Sequence, residues 1–154
     1  MRIKHLIVLL SLISRISYGQ NLNMVIQVND RLVTTEISGA YLNFESIDGT
    51  KDKKNVVYQP GELILEDEIL GILRSDSVKN ITLTFDYNSF KSEKHQIANY
   101  RVDMENYHFN QPYLILNIYD FRERKYRKRF SCLTDNDFIA ELYFAQSGIL
   151  IECK

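Results

Sequence analysis

The chain has 154 residues, of which 45% are hydrophobic and 25% are charged, and its 19 basic and 20 acidic side chains give a net charge of −1. These proportions are close to the globular average, so they argue against a disordered chain. A chain of this length can bury the core of one ordinary domain without help from metals or disulfides.

The first nineteen residues have the order of a secretory signal peptide. Arg2 and Lys4 precede a short apolar run, Leu6–Ile13, and small residues lead up to a predicted cut after Gly19. The run is well short of the roughly 20 residues that span a bilayer, which disfavours a transmembrane anchor. No cysteine lies near the cut, which disfavours a lipoprotein. We therefore expect residues 1–19 to be removed and the mature protein to be periplasmic or secreted, with no transmembrane segment.

Removal of this segment leaves one predicted domain, residues 20–154, that is mildly acidic. The segment holds three of the 19 basic residues and none of the 20 acidic ones, so the remainder carries 16 basic and 20 acidic groups, a net charge of −4. An acidic chain in this compartment disfavours nucleic acid as a partner.

The first half of the domain is predicted to contain short strands and one helix. Alternating apolar residues or short apolar runs predict five strands, at Met24–Val28, Arg31–Ile37, Ala40–Glu45, Val56–Tyr58 and Leu63–Leu65. Pro60 and Gly61 separate the last two strands. The segment Glu66–Arg74 has apolar residues at helical spacing and predicts a short helix, although Gly71 makes a single turn an equal alternative.

The second half is predicted to be strands throughout. Ile81–Tyr87 alternates strictly, which predicts one buried and one wet face, and Tyr100–Met104 predicts a shorter strand. Tyr113–Phe121 is apolar on both faces, which predicts a central strand. Phe138–Phe144 and Ile149–Cys153 flank a turn and predict a C-terminal hairpin.

Together these elements predict an all-β fold, an antiparallel β-sandwich with seven to ten strands. About ten strands with regular turn signals fit a sandwich better than a fold with crossover helices. The run Pro112–Arg129, an aliphatic strand followed by a basic hairpin, resembles small immunoglobulin-like or transthyretin-like exported sandwiches. That likeness concerns architecture and implies no function. A flattened β-barrel is the alternative fold.

Cys132 and Cys153 are the only cysteines, and export would permit a disulfide between them. The predicted C-terminal hairpin pairs position 153 with position 140, which leaves Cys132 eight extended residues away. That length is about 26 Å, whereas a disulfide needs Cα atoms about 4.4 to 6.8 Å apart. The spacing therefore favours two thiols, and a bridge requires the loop Leu133–Asp137 to fold back.

Residues typical of catalytic or metal sites are few. The sequence has no Gly-x-Ser-x-Gly, phosphate-binding glycine loop, His-Glu-x-x-His or Cys-x-x-Cys motif. His95 and His108 lie in polar stretches and are predicted at the surface. The carboxylates of Glu62–Glu68 and Asp135–Asp137 could hold calcium, but solvated loop acids are the better interpretation. We predict no cofactor, no metal and no enzymatic activity.

The most unusual segment is Phe121–Phe130, in which six of the ten residues are basic. It predicts a basic hairpin that attracts an anionic glycan, a lipid headgroup or an acidic protein surface. The predicted contacts are Arg124, Lys125, Tyr126, Arg127, Lys128 and Arg129. The aromatic residues of the segment could stack on sugars or pack on a partner. The alternative is a solvated hairpin that only protects a strand edge from aggregation.

The sequence therefore predicts an exported, non-enzymatic interaction or structural module of the cell envelope or extracellular space. One alternative is a small β-barrel that carries an apolar ligand, which requires an open apolar lumen. A less favoured alternative is a hydrolase, which requires two carboxylates about 5 to 9.5 Å apart in a cleft if it acts on glycosides.

Overall fold

The computed structural model of the chain describes residues 21–91, 94–133, 136–145 and 147. This part is mostly strand, arranged in two packed sheets, which confirms the predicted β-sandwich. Neither sheet closes into a barrel over these ranges. The predicted signal peptide and the predicted strand Ile149–Cys153 lie outside the described residues. No helix in the described part is both long enough and apolar enough to cross a bilayer.

Ten strands, two α-helices and two short 3₁₀ turns make up the described fold. In chain order the strands are β1 (Asn21–Val28), β2 (Arg31–Leu32), β3 (Ile37–Ser46), β4 (Lys51–Asn55), β5 (Val57–Gln59), β6 (Gly61–Ile64), β7 (Val78–Lys91), β8 (Lys94–Met104), β9 (Leu114–Asp120) and β10 (Phe138–Phe144). The helices are α1 (Asp67–Arg74) and α2 (Arg124–Arg129), and the 3₁₀ turns are Asn106–Asn110 and Ser131–Leu133.

The first sheet has the strand order β10-β9-β1-β6-β5, with β2 paired to β1, and the second has the order β4-β3-β7-β8. β1 and β9 run parallel, with Met24 opposite Leu114 and Val28 opposite Ile118. The other strand pairs in the described part are antiparallel, so both sheets are mainly antiparallel, as predicted. β9 lies between β10 and β1, which confirms it as a central strand.

The core between the sheets is filled with apolar side chains. Leu83 of β7, Leu116 of β9 and Leu42 of β3 are completely buried, and each such side chain contributes about 1.5 to 3 kcal/mol. The predicted helix is confirmed as α1, whose Leu70 and Leu73 are also completely buried. These residues lie on one side of α1, so the helix extends the core with a single apolar stripe.

The structure corrects the predictions made for the basic segment and for His108. The basic segment is not a hairpin, because Arg124–Arg129 forms α2. His108 is buried, whereas His95 is exposed as predicted. The His108 Nδ1 atom accepts a hydrogen bond from the Glu105 backbone N–H at 2.8 Å, and burial lowers the pKa of this imidazole. His108 is therefore a neutral part of the packed structure.

The environment of Cys132 also differs from the prediction. Cys132 is disulfide-bonded, and it lies in the 3₁₀ turn Ser131–Leu133. β10 begins only at Phe138, so the assumption of an extended chain between position 132 and the hairpin is wrong. The expectation of two free thiols is therefore wrong at Cys132. Cys153 lies outside the described residues, and the bridge from Cys132 to Cys153 stays a prediction.

Candidate functional site

The basic segment forms a helix because its apolar residues have helical spacing. Tyr126 and Phe130 are four residues apart, which places them on one side of a helical turn. Arginine and lysine, which fill most other positions, are good helix formers. The Phe130 backbone N–H donates to the Tyr126 carbonyl oxygen at 2.9 Å. The sequence therefore specifies a short helix with an apolar underside and a cationic outer side.

The underside of α2 packs into a small aromatic core of its own. Tyr126 and Phe130 pack with Tyr119, Phe121 and Ile139, and all five are at most 8% exposed. The ring centroids of Tyr119 and Phe130 are 5.0 Å apart, and those of Tyr119 and Tyr126 are 5.4 Å apart. Tyr126 is only 2% exposed, so the prediction that its ring faces a partner is corrected. These aromatic residues instead fix the position of α2.

Three of the five basic side chains of α2 contact the rest of the domain, although all five are exposed. The Lys125 Nζ atom lies 3.0 Å from Asp30 Oδ2. The Arg127 Nε atom donates to the Phe121 carbonyl oxygen at 3.0 Å. The Arg129 guanidinium lies over the Tyr119 ring, 5.3 Å from its centroid. These three cations therefore help to hold the helix against the sheet.

The other two basic side chains, Arg124 and Lys128, make no hydrogen bond or ion pair with any residue that the structure describes. They are four residues apart and therefore share one side of α2. Both are exposed. Two positive charges are thus presented to solvent from a helix whose opposite side is buried.

A turn between β1 and β2 connects α2 to the end of the sandwich. Asn29 and Asp30 form this turn with φ angles of 55° and 62°, a left-handed conformation that Asn and Asp tolerate better than most residues. Asp30 Oδ2 accepts a hydrogen bond from the Tyr126 hydroxyl at 2.8 Å. The hydrogen bonds from Tyr126 and Lys125 lower the pKa of Asp30. On the other side of the turn, Asn29 Oδ1 accepts from the Asp120 backbone N–H at 2.8 Å.

A cleft of about 670 Å³ opens next to this turn, between the ends of the two sheets. We call it the inter-sheet cleft, and it is lined by Val28, Asn29, Arg31, Tyr87, Ser89, Gln96, Ile97, Tyr100, Asp120, Arg122 and Glu123. The cleft lies towards the hairpin end of β7 and β8, which supply Tyr87, Ser89, Gln96 and Ile97 to its lining. Along the inward face of β7, Phe85 is buried, whereas Tyr87 and Ser89 on the same face are only partly buried.

The floor of the inter-sheet cleft is a buried carboxylate with strong donors. Asp120 is 4% exposed. Its Oδ2 atom accepts a hydrogen bond from the Tyr100 hydroxyl at 2.6 Å and one from Arg122 Nε at 2.8 Å. Burial alone would raise the pKa of Asp120, but the hydrogen bonds from Arg122 and Tyr100 outweigh it and lower this pKa. Burial and the bond to Asp120 raise the pKa of Tyr100. The carboxylate is therefore ionised and the phenol protonated.

Two arginines and Glu123 line the cleft beside Asp120. Arg31 is exposed and makes no hydrogen bond or ion pair with the described residues. The Arg122 side chain is 51% exposed although its guanidinium binds Asp120. The cleft thus has two exposed arginines, Arg31 and Arg122. The outer side of α2 has the two exposed cations Arg124 and Lys128, and the Asn29–Asp30 turn lies next to both sites.

The described residues contain no group of three or more side chains that could hold a metal ion. Of the acids considered for calcium, Glu62 accepts a hydrogen bond from the Asn21 amide at 2.9 Å, and position 135 lies outside the described residues.

No protein-family model, curated protein or solved structure matches this chain. The function of the site must therefore be inferred from its own geometry.

Proposed function

We propose that this protein is an exported, non-enzymatic interaction module of the cell envelope or extracellular space, which binds an anionic partner through α2. The observation that carries this proposal is the pair Arg124 and Lys128, two exposed cations without partners among the described residues, on a helix held by buried aromatic side chains. A rigidly held binding surface loses less conformational entropy when it binds. A helix that only keeps a strand edge soluble would not need this support.

The charge distribution supports an anionic partner. Residues 20–154 have a net charge of −4, yet Phe121–Phe130 contains six basic residues. Such a concentration attracts an anion over about one Debye length, roughly 8 Å at physiological ionic strength. Binding is therefore expected to weaken as the salt concentration rises.

The packing favours an interaction module over a carrier of an apolar ligand and over a hydrolase. A carrier requires an open apolar lumen, whereas Leu42, Leu83 and Leu116 leave none of their surface exposed between the sheets. A glycoside hydrolase requires a carboxylic acid with a raised pKa, whereas the pKa of Asp120 is lowered by its hydrogen bonds. Neither the filled core nor the lowered pKa of Asp120 favours these alternatives.

The proposal is tested by removing the two free cations. Arg124→Gln/Lys128→Gln is sharper than a serine replacement of residues 127–129, because Arg127 and Arg129 also make contacts within the domain. A matched control, Lys51→Gln/Arg101→Gln, removes two exposed charges from the second sheet. Binding to polygalacturonate, phosphatidylglycerol vesicles and polyglutamate is measured by biolayer interferometry from about 50 to 500 mM salt, a range over which screening changes strongly.

We expect the parent and the control to bind at least one probe with an affinity that falls as salt increases. The α2 variant should bind that probe more weakly, with a smaller salt dependence, and should keep the circular dichroism spectrum of the parent. If the α2 variant binds as well as the parent across the whole series, α2 only protects the sheet and the proposal fails. It also fails if the parent binds none of the three probes.

A further inference from the structure

The inter-sheet cleft has the composition of a small-molecule site. Its volume of about 670 Å³ lies within the range of about 300 to 1,000 Å³ that is typical of ligand pockets. It is placed where the inward face of β7 changes from the buried Phe85 to the partly buried Tyr87 and Ser89. Core packing does not require polar side chains at these two inward positions of β7.

The cleft combines an aromatic wall with neutral polar groups. The rings of Tyr87 and Tyr100 are 6.2 Å apart and inclined at 36°. Ser89 and Gln96 are directly opposite each other on β7 and β8. The side chains of Tyr87, Ser89 and Gln96 make no hydrogen bond with the described part of the chain. Aromatic rings pack on the apolar faces of sugars, and hydroxyl and amide groups can exchange hydrogen bonds with sugar hydroxyls.

The cations of the cleft select an acid. Arg31 makes no hydrogen bond or ion pair with the described residues, whereas the guanidinium of Arg122, whose side chain is 51% exposed, is bound to Asp120. Guanidinium groups bind carboxylates through paired hydrogen bonds. The lining holds two cations, Arg31 and Arg122, and two carboxylates, Asp120 and Glu123. Arg122 is bound to Asp120, which leaves Arg31 as the cation that is available to an acid.

We propose that the inter-sheet cleft binds one uronic acid residue of an anionic polysaccharide, whose neighbouring acidic residues lie along α2. This inference rests on the proposed function and names its partner class. The sugar ring packs against Tyr87, its hydroxyls bind Ser89 and Gln96, and its carboxylate pairs with Arg31. The turn that carries Asp30 joins the two sites, so a linear polymer can contact both.

The other anionic partners fit this cleft less well. A bilayer surface is flat and cannot enter a cleft between sheets, and an acyl chain would have to lie against Arg31, Asp120 and Glu123. An acidic peptide could pair with the arginines, but it does not require the neutral groups of Ser89 and Gln96. The polyuronate uses the Tyr87 ring, the neutral polar groups and Arg31 together.

The test uses ligands of three residues. Trigalacturonate, neutral galactotriose and triglutamate are titrated by isothermal calorimetry and by amide chemical shifts into the parent, Arg31→Gln, Tyr87→Ala and the control Arg101→Gln. Arg31 and Arg101 are both exposed and make no contacts that their replacement would break. Circular dichroism checks the fold of each variant.

We expect trigalacturonate to bind the parent at least about tenfold more tightly than the other two ligands, because a charge-assisted pair is worth about that factor. Arg31→Gln and Tyr87→Ala should each weaken it about tenfold, whereas Arg101→Gln should not change it. The inference is overturned if galactotriose or triglutamate binds as tightly, or if Arg31→Gln binds trigalacturonate like the parent.

The two proposals fail in different ways. If polygalacturonate binding depends on Arg124 and Lys128 but not on Arg31 and Tyr87, the cleft inference is wrong and the proposed function is supported. If polygalacturonate binding depends on none of these four residues, the cleft inference is wrong, and the proposed function is wrong as well unless vesicles or polyglutamate bind through Arg124 and Lys128.

Discussion

Two ion pairs lie on either side of the Asn29–Asp30 turn, and they differ in their exposure to water. In the pair of Arg122 with Asp120, the side chains are 51% and 6% exposed. In the pair of Lys125 with Asp30, they are 67% and 48% exposed. Water screens the second pair, whereas the buried carboxylate of the first depends on its donors. The first pair is therefore expected to stabilise the fold, and the second mainly to orient α2.

The largest expected effect comes from Arg122→Ala, which leaves the carboxylate of Asp120 buried with one side-chain donor fewer. Removing one partner of a fully buried pair costs about 3 to 5 kcal/mol. Because the guanidinium is half exposed, we expect the free energy of unfolding to fall by about 2 kcal/mol, measured by urea denaturation. Arg124→Ala is the matched control and should leave the urea midpoint unchanged. Equal stability of the two variants would show that the pair of Arg122 with Asp120 does not stabilise the fold.

Tyr100→Phe should have the next largest effect. It removes the hydroxyl that donates to Asp120 Oδ2 at 2.6 Å and keeps the buried ring. A buried acceptor that loses a donor costs about 1 to 2 kcal/mol. Tyr87→Phe is the control, because the Tyr87 hydroxyl has no hydrogen-bond partner in the described part of the chain. Equal shifts of the urea midpoint in Tyr100→Phe and Tyr87→Phe would show that the hydrogen bond to Asp120 does not stabilise the fold.

The pH dependence of stability sharpens the same comparison. The pKa of Asp120 is lowered in the folded state, so its contribution is fully present above the unfolded pKa of about 3.9 and is lost as the pH falls through the folded value. Other carboxylates contribute equally to the parent and to Arg122→Ala. The stability gap between these two proteins should therefore narrow below about pH 4. If the difference in free energy of unfolding stays the same down to pH 2, Arg122 stabilises the fold through packing and not through its charge.

Lys125→Gln should have the smallest effect. The ammonium of Lys125 and the carboxylate of Asp30 are both well exposed, and the Tyr126 hydroxyl still binds Asp30 in the variant. We expect the same urea midpoint as the parent in 150 mM salt. A loss of stability as large as that of Arg122→Ala would contradict the distinction between the two pairs.

The elements predicted correctly from the sequence are those that a local pattern of apolar residues specifies. Ile81–Tyr87 alternates strictly and lies within β7, and the apolar spacing of Glu66–Arg74 identified α1. The helical spacing of Tyr126 and Phe130 was equally visible, but the charges around them suggested a hairpin. β4 has the sequence Lys-Asp-Lys-Lys-Asn and no apolar alternation. It is a strand because it pairs with β3 at the edge of the second sheet, where charged side chains discourage further pairing.

The inter-sheet cleft could not be predicted, because distant parts of the chain form it. Arg31, Tyr87 and Asp120 meet only because β1 pairs in parallel with β9 and the second sheet packs on both. One signal was present in the sequence. The inward face of β7 continues from Phe85 to Ser89 with decreasing apolar character, which marks the point where a strand leaves the core.

The central claim is that α2 presents an anion-binding face, and chemical-shift mapping with polygalacturonate tests it most directly. We predict that the perturbed amides concentrate in residues 122–131 and in the Asn29–Asp30 turn, and that the perturbations at α2 decrease in Arg124→Gln/Lys128→Gln. Perturbations on the outer face of the second sheet around Thr82 and Arg101, with the α2 amides unchanged, would contradict the account.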